Sequence, residues 1–324
     1  MLSGKRILLT GGCGFIGSHL VLRLCQDNEV LVVDNHRRDA LRFQDQPEDA
    51  KFELYDRDIT EKGALDDLLE GVDWVIHLAA VAGVSNYIKH PATTLTNNLI
   101  GTWRVLEALR SRQISRFLNF STSEVYGAMA VDASERMPTV QGPIGEARWS
   151  YAVSKTAAEH LCFAYHREYG VPTVSVRPFN IFGPAQVGEG AIHDIALRAL
   201  QNQQVHITGD GQQVRTWCYI EDMIEATELL LTHPAAVGRV YNVGNARPVV
   251  KMLDLANMII ELADSSSEIT FRPHAEVDVR LRSPNVNRIH EQLGFRPKVS
   301  LEDGLRRTIN WYRDHLVEML ECHE

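Results

Sequence analysis

The sequence has no long basic run and no apolar stretch approaching the roughly 20 residues that a membrane-spanning helix needs. Its 324 residues carry a formal net charge of −9 at pH 7, which gives no support to binding of nucleic acid or of anionic membranes. The N-terminus leads directly into a short apolar run, without the pattern of a secretory signal. We therefore expect neither nucleic-acid nor membrane partners, and any anionic ligand must be held by a few local cations.

Cysteine is scarce and scattered. The five cysteines are Cys13, Cys25, Cys162, Cys218 and Cys322. They show neither the pattern of a disulfide framework nor the Cys/His spacing of a zinc site. The sequence therefore predicts no bound metal and favours a location in the reducing cytoplasm.

Short apolar runs bounded by turn residues recur through the first half of the chain, at residues 6–10, 30–34, 73–80, 116–122 and 173–179. The segments between them have apolar residues at helical spacing. This alternation predicts an α/β fold built on a Rossmann-type, doubly wound parallel sheet. The second half is less regular, with a strand-like run at 239–245, a helix near 252–263 and a terminal helix from about residue 301. It predicts a smaller C-terminal lobe, interleaved with the last strands of the sheet.

A glycine-rich turn, TGGCGFIG, joins the first predicted strand to a helix and places Gly11, Gly14 and Gly17 at GxxGxxG spacing. At this spacing the first glycine permits a tight turn, the second lets the backbone approach a diphosphate, and the third allows helix and strand to pack closely. The positive N-terminus of the helix then faces the diphosphate. Such turns also occur for purely structural reasons, so the motif gains its weight from its context.

That context is Asp34, which ends the second apolar run. A carboxylate there accepts hydrogen bonds from the adenosine ribose hydroxyls and repels a 2′-phosphate, which favours NAD over NADP as the cofactor. Arg37 and Arg38 follow, and arginine is the residue type that accommodates a 2′-phosphate. Further along, Asp58 and Ile59 stand where the next loop would flank the adenine, although Asp58 also suits the N-cap of a following helix.

Tyr151 and Lys155 in SYAVSK are one helical turn apart. An unperturbed phenol has a pKa of about 10, and a nearby ammonium, together with a positive nicotinamide, favours the phenolate. Tyr151 then suits acid/base catalysis of an alcohol–ketone couple. Thr122 and Ser123 add hydroxyls at the carboxyl end of another predicted strand, where such folds bind ligands. Taken alone, the Tyr/Lys spacing would favour an ordinary surface pair.

Motifs from end to end of the chain together resemble the extended short-chain dehydrogenase/reductase family, in its nucleotide-sugar epimerase, dehydratase and decarboxylase branch. They are TGGCGFIG, VVDN, HLAA, NNLIGT, STSEVYG, YAVSK, RPFNIFGP, GDGQQVRTWCYIEDM, YNVGN and RLRSPN. The resemblance implies an NAD-binding domain over residues 1–178, rejoined by the strand near 239–245, and a lobe over residues 179–324 that mainly binds substrate. It also implies a homodimer, and a nucleotide-diphosphate sugar, most simply a UDP-sugar, as substrate.

The same resemblance implies roles for individual positions. The residues implied in hydride transfer are Thr122, Tyr151 and Lys155, and those added at the cofactor are Phe15, Ile16, Asn35, Leu78, Ala79 and Ala80. Asn180 would contact the sugar diphosphate, and Arg215 and Arg282 would neutralise it, as an acidic protein requires. Without the family context, each arginine is as readily a solvated or ion-paired residue.

Glu124 in STSEVYG bears on which reaction follows oxidation of the sugar at C4. Thr122, Ser123 and Glu124 match a Thr-x-Glu pattern found in decarboxylases and dehydratases of this family, whereas its 4-epimerases usually have a serine-rich stretch without the carboxylate. Only decarboxylation and dehydration need extra acid/base groups near C5. A structural alternative is that Glu124 caps the strand end or forms an ion pair there.

Two further segments favour decarboxylation of UDP-glucuronate. Residues 86–102, NYIKHPATTLTNNLIGT, resemble decarboxylases of the family that act on this substrate, and would place Tyr87 in the sugar pocket, although an aromatic before a helix also serves in packing. GPIGEARWSYAVSK resembles the approach to the Tyr/Lys pair in bacterial enzymes of that kind. The 4-epimerase and 4,6-dehydratase reactions stay open as alternatives, as does, more remotely, a non-catalytic NAD-binding sensor on the same fold.

Overall fold

The computed structural model describes residues 2–47, 50–273 and 279–321, so Cys322 lies outside the described residues. The strands, in chain order, are β1 (Arg6–Thr10), β2 (Glu29–Asp34), β3 (Phe52–Asp56), β4 (Trp74–His77), β5 (Arg116–Phe120), β6 (Met129–Ala133), β7 (Thr173–Pro178), β8 (Ile181–Phe182), β9 (Val205–Thr208), β10 (Val214–Arg215), β11 (Cys218–Tyr219), β12 (Arg239–Val243), β13 (Val250–Lys251), β14 (Ile269–Arg272) and β15 (Leu281–Pro284). The helices are α1 (Phe15–Leu24), α2 (Val84–Lys89), α3 (Pro91–Leu109), α4 (Ser150–Tyr169), α5 (Ala191–Leu200), α6 (Ile220–Thr232), α7 (Met252–Leu262), α8 (Asn287–Leu293), α9 (Leu301–Asp314) and α10 (Leu316–Glu321). None of these described helices is both long and apolar enough to cross a membrane.

Seven parallel strands form the central sheet, in the order β12-β7-β5-β4-β1-β2-β3. The chain winds from β1 to one edge through β2 and β3, and then from β4 to the other edge. The predicted Rossmann-type, doubly wound parallel sheet is thus confirmed. Because the winding reverses between β1 and β4, a crevice opens there at the carboxyl ends of the strands.

The apolar runs form strands because both faces of the sheet are covered. Along β1, Ile7 and Leu9 contribute to one buried cluster, and Leu8 contributes to the other. Helices α1 and α6 cover the first face, and α3 and α4 cover the second. Burying each such side chain contributes roughly 1.5–3 kcal/mol relative to leaving it exposed. The sheet is therefore held from both sides, and only its strand ends are open to ligands.

The strands differ from the predicted runs at their ends. The run at 73–80 stops forming strand at His77 because the amides of Leu78 and Ala79 both donate to the carbonyl of Thr10. The run at 116–122 stops at Phe120, before a 3₁₀ turn. Strand β3 is absent from the prediction because it is a half-exposed edge strand without a continuous apolar run. The residues that leave the sheet early form the edge of the crevice.

The smaller lobe is built around a four-stranded sheet in the order β13-β10-β15-β6. Strand β6 enters this sheet from the first half of the chain, while β12 from the second half lies beside β7 in the central sheet. Helices α5, α7 and α9 pack together, and their apolar residues join the same buried cluster as α1 and α6. The lobe is therefore fixed against the crevice by a continuous core. The division at residue 178 stays a prediction.

Candidate active site

A cleft of about 480 Å³ opens at the carboxyl ends of the central strands. Every residue predicted from the sequence at the cofactor lines this cleft: Gly11, Gly14, Phe15, Ile16, Gly17, Asp34, Asn35, Asp58, Ile59, Leu78, Ala79, Ala80, Tyr151 and Lys155. These residues come from the end of β2, from the loops that follow β1, β2, β3 and β4, from the first turn of α1, and from α4. The parallel sheet brings them together because the carboxyl ends of all its strands lie along one edge.

The glycine turn fits a diphosphate. Gly11 has a φ of +75°, and a Cβ there would lie 2.4 Å from the backbone nitrogen of Ala79. A Cβ at Gly17 would lie 2.3 Å from the carbonyl oxygen of Gly11, so both positions need glycine for close packing. At Gly14, by contrast, the nearest atom to a Cβ is 3.4 Å away. Packing therefore does not require a glycine at this position, and a bare backbone beside the N-terminus of α1 suits close approach by a diphosphate.

Asp34 is held at the end of β2 by the backbone. One carboxylate oxygen accepts a hydrogen bond from the amide of Cys13 at 2.9 Å, and the other accepts one from the amide of His36 at 2.9 Å. Burial raises the pKa of Asp34, while these two hydrogen bonds oppose the rise. Each oxygen keeps a further lone pair, and the carboxylate lines the cleft. This geometry fits the two hydroxyls of an adenosine ribose.

Arg38 reaches across the mouth of the same cleft. Its guanidinium lies so close to Gly83 and Gly188 that a Cβ at these positions would be 2.6 and 2.9 Å from it. Burial lowers the pKa of Arg38, and the charge of Glu189 opposes this effect. Because Glu189 balances the charge of Arg38, the arginine does not form a phosphate site on its own. The arrangement agrees with NAD rather than NADP.

The Tyr/Lys pair on α4 lies deep in the cleft. Lys155 is buried and donates from Nζ to the carbonyl of Phe120 at 2.8 Å, and burial lowers its pKa to about 8. Burial also raises the pKa of Tyr151, with the charge of Glu124 adding to the rise and a hydrogen bond to Thr122 opposing it. Tyr151 is therefore a protonated phenol unless positive charge lies nearby. The expected phenolate depends on such charge: the charge of Arg38 acts to lower the pKa of Tyr151, and the contribution expected from the ammonium of Lys155 stays a prediction.

Glu124 lies between two arginines. Its Oε2 accepts from Nη1 of Arg148 at 2.8 Å, and its Oε1 lies 3.8 Å from Nη1 of Arg282. The backbone amide of Glu124 donates to Oγ1 of Thr122 at 3.2 Å, which fixes the 3₁₀ turn that follows β5. Arg148 was not predicted as a site residue, although its Arg-Trp motif stands directly before the Tyr/Lys helix. The ion pair anticipated as a structural alternative for Glu124 is present, and it lies beside the cleft.

Tyr87 on α2 packs against Tyr151. The rings of Tyr87 and Tyr151 are stacked, with centroids 5.8 Å apart and planes 11° apart. The guanidinium of Arg148 lies 5.2 Å from the centre of the Tyr87 ring. The phenol is buried, and among the described residues its hydroxyl has no hydrogen-bond partner. A buried hydroxyl without a partner is costly, so this atom marks a place where a polar ligand would be stabilised.

A second cavity of about 650 Å³ adjoins the first. Tyr87, Glu124, Asn180 and Arg215 line it, and Tyr151 lines both cavities. The amide nitrogen of Asn180 donates to the carbonyl of Thr216 at 2.7 Å. Arg282 lies 3.8 Å from Glu124, which lines this cavity. Ser123 is buried and is not among the described residues that line either cavity.

One group of side chains beside the cleft has atoms of the type that bind metals. The ligand atoms of Cys13, His36 and Asp39 lie within 4.8 Å of one another. A contact of 3.2 Å between Nδ1 of His36 and a carboxylate oxygen of Asp39 already pairs two of the three groups. Burial, followed by the charges of Asp34 and Asp39, raises the pKa of Cys13, so its thiol is protonated at neutral pH. To hold a metal, Cys13 would have to lose its thiol proton, and His36 and Asp39 would have to give up their contact with each other.

Comparison with known proteins extends over most of the chain. Residues 7–244 match the NAD dependent epimerase/dehydratase family. The chain is 37% identical over 317 residues to UDP-glucuronic acid decarboxylase 1 of Xenopus tropicalis, covering 96% of this chain and 73% of that protein. It is 34% identical over 321 residues to UDP-N-acetyl-alpha-D-glucosaminuronate decarboxylase of Bacillus cytotoxicus, covering 96% of this chain and 98% of that protein.

A solved structure shares the fold as well as the sequence pattern. UDP-glucuronic acid 4-epimerase from Bacillus cereus, in complex with UDP-glucuronic acid and NAD, superimposes with a TM-score of 0.85 at 30% sequence identity, over 95% of this chain and 99% of that one. The predicted cofactor, NAD, and the predicted class of nucleotide-sugar enzyme are confirmed by these matches. The chain belongs to the NAD dependent epimerase/dehydratase family.

Proposed function

We propose that this enzyme decarboxylates a UDP-hexuronate, with UDP-glucuronate as the substrate, after oxidising the sugar at C4. The observation that carries this proposal is the position of Glu124 between Arg148 and Arg282, beside Tyr151 and the second cavity. Two relatives named as decarboxylases of UDP-hexuronates cover nearly the whole chain and support it.

The charge around Glu124 favours an anionic sugar. The guanidiniums of Arg148 and Arg282 both face the carboxylate of Glu124 in a largely buried place. Arginine binds carboxylates through paired, charge-assisted hydrogen bonds, which a neutral sugar does not offer. A hexuronate carboxylate would therefore accept hydrogen bonds from the guanidiniums beside Glu124. It would also lie near Glu124, and release of neutral carbon dioxide would remove the repulsion between the two anions.

The reaction begins at Tyr151. The glycine turn and Asp34 would hold NAD, which would supply a hydride acceptor, and later a hydride donor, at C4. Tyr151 takes the proton of the C4 hydroxyl, with Lys155 supplying positive charge and Thr122 a hydrogen bond to the phenol. The resulting ketone is β to the C6 carboxylate, so the C5–C6 bond breaks and its electron pair passes into the C4 enolate. A proton then adds at C5, in the region of Glu124, and reduction at C4 completes the cycle.

The remaining predicted residues take supporting roles in this proposal. The hydroxyl of Tyr87 would hydrogen-bond the sugar, because it lies at the cavity and is buried without a hydrogen-bond partner among the described residues. Asn180 and Arg215 would contact the diphosphate from the same cavity, and Arg282 would share the anionic part of the substrate. Ser123 is included in the proposed catalytic segment because of its position between the other two residues of the segment. Its own side chain is buried and has no proposed role.

The test is incubation of the purified protein with UDP-glucuronate and NAD, following carbon dioxide and the sugar protons by NMR. We expect carbon dioxide together with UDP-xylose or a UDP-4-keto-pentose. UDP-galacturonate without carbon dioxide would instead mean 4-epimerisation. UDP-N-acetylglucosaminuronate is assayed in parallel, since one relative is named for that substrate. Turnover of neutral UDP-glucose with no reaction of either hexuronate would overturn the proposal in favour of dehydration or epimerisation.

We further propose that the protein is a homodimer paired through α3 and α4. These helices pack side by side, and their outer faces expose large apolar residues: Leu95, Ile100 and Trp103 on α3, and Val153, Phe163 and Tyr169 on α4. Exposed apolar stripes on adjacent helices suit a four-helix interface between two copies. Light scattering after gel filtration tests this, and a monomeric mass at micromolar concentration would contradict it.

The cellular location is part of the same proposal. Cys13, Cys162 and Cys218 are buried free thiols. Free thiols persist most readily in a reducing compartment, which supports the cytoplasm. Fractionation of the source cells, followed by detection of the protein, tests this proposal.

A further inference from the structure

A second glutamate–arginine pair lies behind the catalytic segment. Arg177 on β7 donates from Nε to Oε1 of Glu159 at 2.8 Å and from Nη2 to Oε2 at 2.6 Å. The hydroxyl of Ser121, at the end of β5, also donates to Oε1 of Glu159. Both charged side chains are only 6% exposed. Every partner of this carboxylate is a donor, which identifies Glu159 as an ionised acceptor held in a fixed place.

Glu159 belongs to the same face of α4 as the catalytic pair. Tyr151, Lys155 and Glu159 follow one another at intervals of four residues, one helical turn each. From Glu159 the hydrogen bonds continue, since Arg177 donates to the hydroxyl of Tyr126 at 2.7 Å. Tyr126 is part of the 3₁₀ turn that contains Glu124. The pair therefore joins α4, β7 and the turn after β5, and neither Glu159 nor Arg177 is among the described residues that line the two cavities.

The network also reaches the segment after the second arginine of the site. The hydroxyl of Tyr126 donates to Oδ1 of Asn242 at 2.8 Å, and Nδ2 of Asn242 donates to the carbonyl of Asn285 at 3.1 Å. Asn285 follows β15, which contains Arg282. Elements that are distant in sequence are thus tied together behind the cleft by buried, directional bonds, which are costly to break.

We propose that Glu159 is a positioning residue for the Tyr151/Lys155 pair. Its buried carboxylate provides the negative charge that the ammonium of Lys155 faces inside the protein, and its bonds to Ser121 and Arg177 fix the end of β5 against α4. The catalytic part of this inference rests on the proposed function. The electrostatic part does not, because it concerns only groups of this chain.

Apart from Arg177, which is a cation paired with Glu159, the ionisable groups that act on Lys155 are neutral near pH 8. On α4, the nearby charges of Cys162 and Glu159 would both raise the pKa of Lys155, but burial raises the pKa of Cys162 to about 12, so its thiol is protonated. On β4, burial, aided by the charge of Lys155, lowers the pKa of His77 to about 3, so its imidazole is uncharged. Burial raises the pKa of Tyr151, so its phenol is protonated in the protein without NAD, which is the form titrated here. Among these described neighbours, Glu159 alone is anionic at that pH.

The direct test is the titration of Lys155 by NMR. The protein is labelled with 13C-lysine, the signal of Lys155 is assigned with the variant K155R, and its shift is followed from pH 6 to pH 10. Removing an opposite charge disfavours the ammonium, so we expect E159Q to lower the titration midpoint of Lys155 by about one pH unit or more. The matched control is E168Q, which removes an exposed glutamate from the same helix and should leave the midpoint unchanged.

The double variant E159Q/R177M guards against loss of the fold, because it leaves no unpaired charge in the interior. It should lower the midpoint of Lys155 in the same direction as E159Q. An unchanged midpoint in whichever of these variants folds would overturn the proposal, as would an equal shift in E168Q. A merely structural role would lower stability without moving the midpoint.

Activity provides an independent second readout. If the ammonium of Lys155 is required, the decline of kcat at high pH begins at lower pH in E159Q, whereas E159D, which keeps the charge, retains the wild-type position of this decline. A uniform loss of activity at all pH values in E159Q would contradict the electrostatic role. Failure of the wild-type protein to act on UDP-glucuronate would count against the proposed function only, since the NMR titration needs no substrate.

Discussion

Two glutamate–arginine pairs meet the STSEVYG segment: a front pair that includes its Glu124, and a rear pair that is bonded to its Ser121 and Tyr126. The front pair, Glu124 and Arg148, has one contact of 2.8 Å, and its side chains are 16% and 8% exposed. The rear pair, Glu159 and Arg177, has two contacts of 2.8 and 2.6 Å, and its side chains are each 6% exposed. The two pairs have the same chemistry and nearly the same depth, but they differ in what else they meet.

The two carboxylates differ in how many further hydrogen bonds they can accept. The rear carboxylate accepts hydrogen bonds from two nitrogens of a guanidinium and from a serine hydroxyl, so its hydrogen-bonding capacity is largely used within the protein. The front carboxylate lines a cavity and has a second arginine, Arg282, at 3.8 Å. A saturated buried pair fixes geometry, whereas a pair open to a cavity offers charge to a ligand. Position relative to the cleft, more than residue type, therefore separates the two roles.

The largest expected effect is on turnover when the front carboxylate is neutralised. We expect E124Q to reduce carbon dioxide release from UDP-glucuronate by about a thousandfold, the range of a lost acid/base group. The urea midpoint of unfolding should stay close to that of the wild type, because glutamine retains the shape and an acceptor for Arg148. E168Q on the outside of α4 is the control. Full activity in E124Q would leave Glu124 as a structural residue only.

The next effect is on stability and should be confined to the rear pair. R177M leaves the carboxylate of Glu159 buried and unpaired, which should cost about 3–5 kcal/mol of the free energy of unfolding. R148M should cost about 2 kcal/mol or less, because Glu124 keeps Arg282 and access to water in the cavity. Urea denaturation of the two variants measures both values. Equal losses would show that the two pairs do not differ in structural weight.

The sequence predicts almost completely that the residues proposed at the cofactor lie together, and the structure places them along one cleft. These residues lie in short motifs, such as Gly11 to Gly17 and Asp34, that follow strands, and a parallel sheet brings all strand ends to one edge. The same argument predicted Tyr151 and Lys155, since helical spacing alone sets their distance. Where a local pattern determines a position, sequence analysis suffices.

The pairing of charges could not be predicted in this way. Glu159 and Arg177 are on different elements, and neither periodicity nor a motif states that they meet. Arg148 was visible before the Tyr/Lys helix, but its contact with Glu124 depends on how two loops fold against each other. Strand β3 was missed for a related reason, because an edge strand is stabilised by its neighbour rather than by its own apolar pattern.

A smaller effect should separate anion binding from nucleotide binding in the front pair. We expect R148M to lower kcat/KM for UDP-glucuronate by about 10- to 100-fold, as for loss of a hydrogen bond to a charged group. The affinity for UDP alone should not change, since UDP lacks the sugar carboxylate. Calorimetric titration with UDP supplies the control. Equal weakening of UDP and UDP-glucuronate would place Arg148 at the diphosphate instead.

The smallest effects are expected from one substitution, tyrosine to phenylalanine, made at Tyr87 beside the cavity and at Tyr126 beside the rear pair. Tyr87 and Tyr126 are both buried, but the hydroxyl of Tyr126 is bonded to Arg177 and Asn242, whereas that of Tyr87 has no partner among the described residues. Y126F should therefore lower the free energy of unfolding by about 1–3 kcal/mol, because it leaves buried partners unsatisfied. Y87F should leave stability unchanged or slightly higher, and raise KM for UDP-glucuronate by about 2- to 10-fold.

The results for Y87F and Y126F test directly whether the front and rear pairs have different roles. A loss of stability in Y87F as large as in Y126F would mean that the Tyr87 hydroxyl has a structural partner, and the cavity would lose its best marker for a sugar. An unchanged KM in Y87F would leave the hydroxyl unused by the substrate. Opposite responses of the two variants would instead show that the same side chain serves the ligand on one side of the segment and the fold on the other.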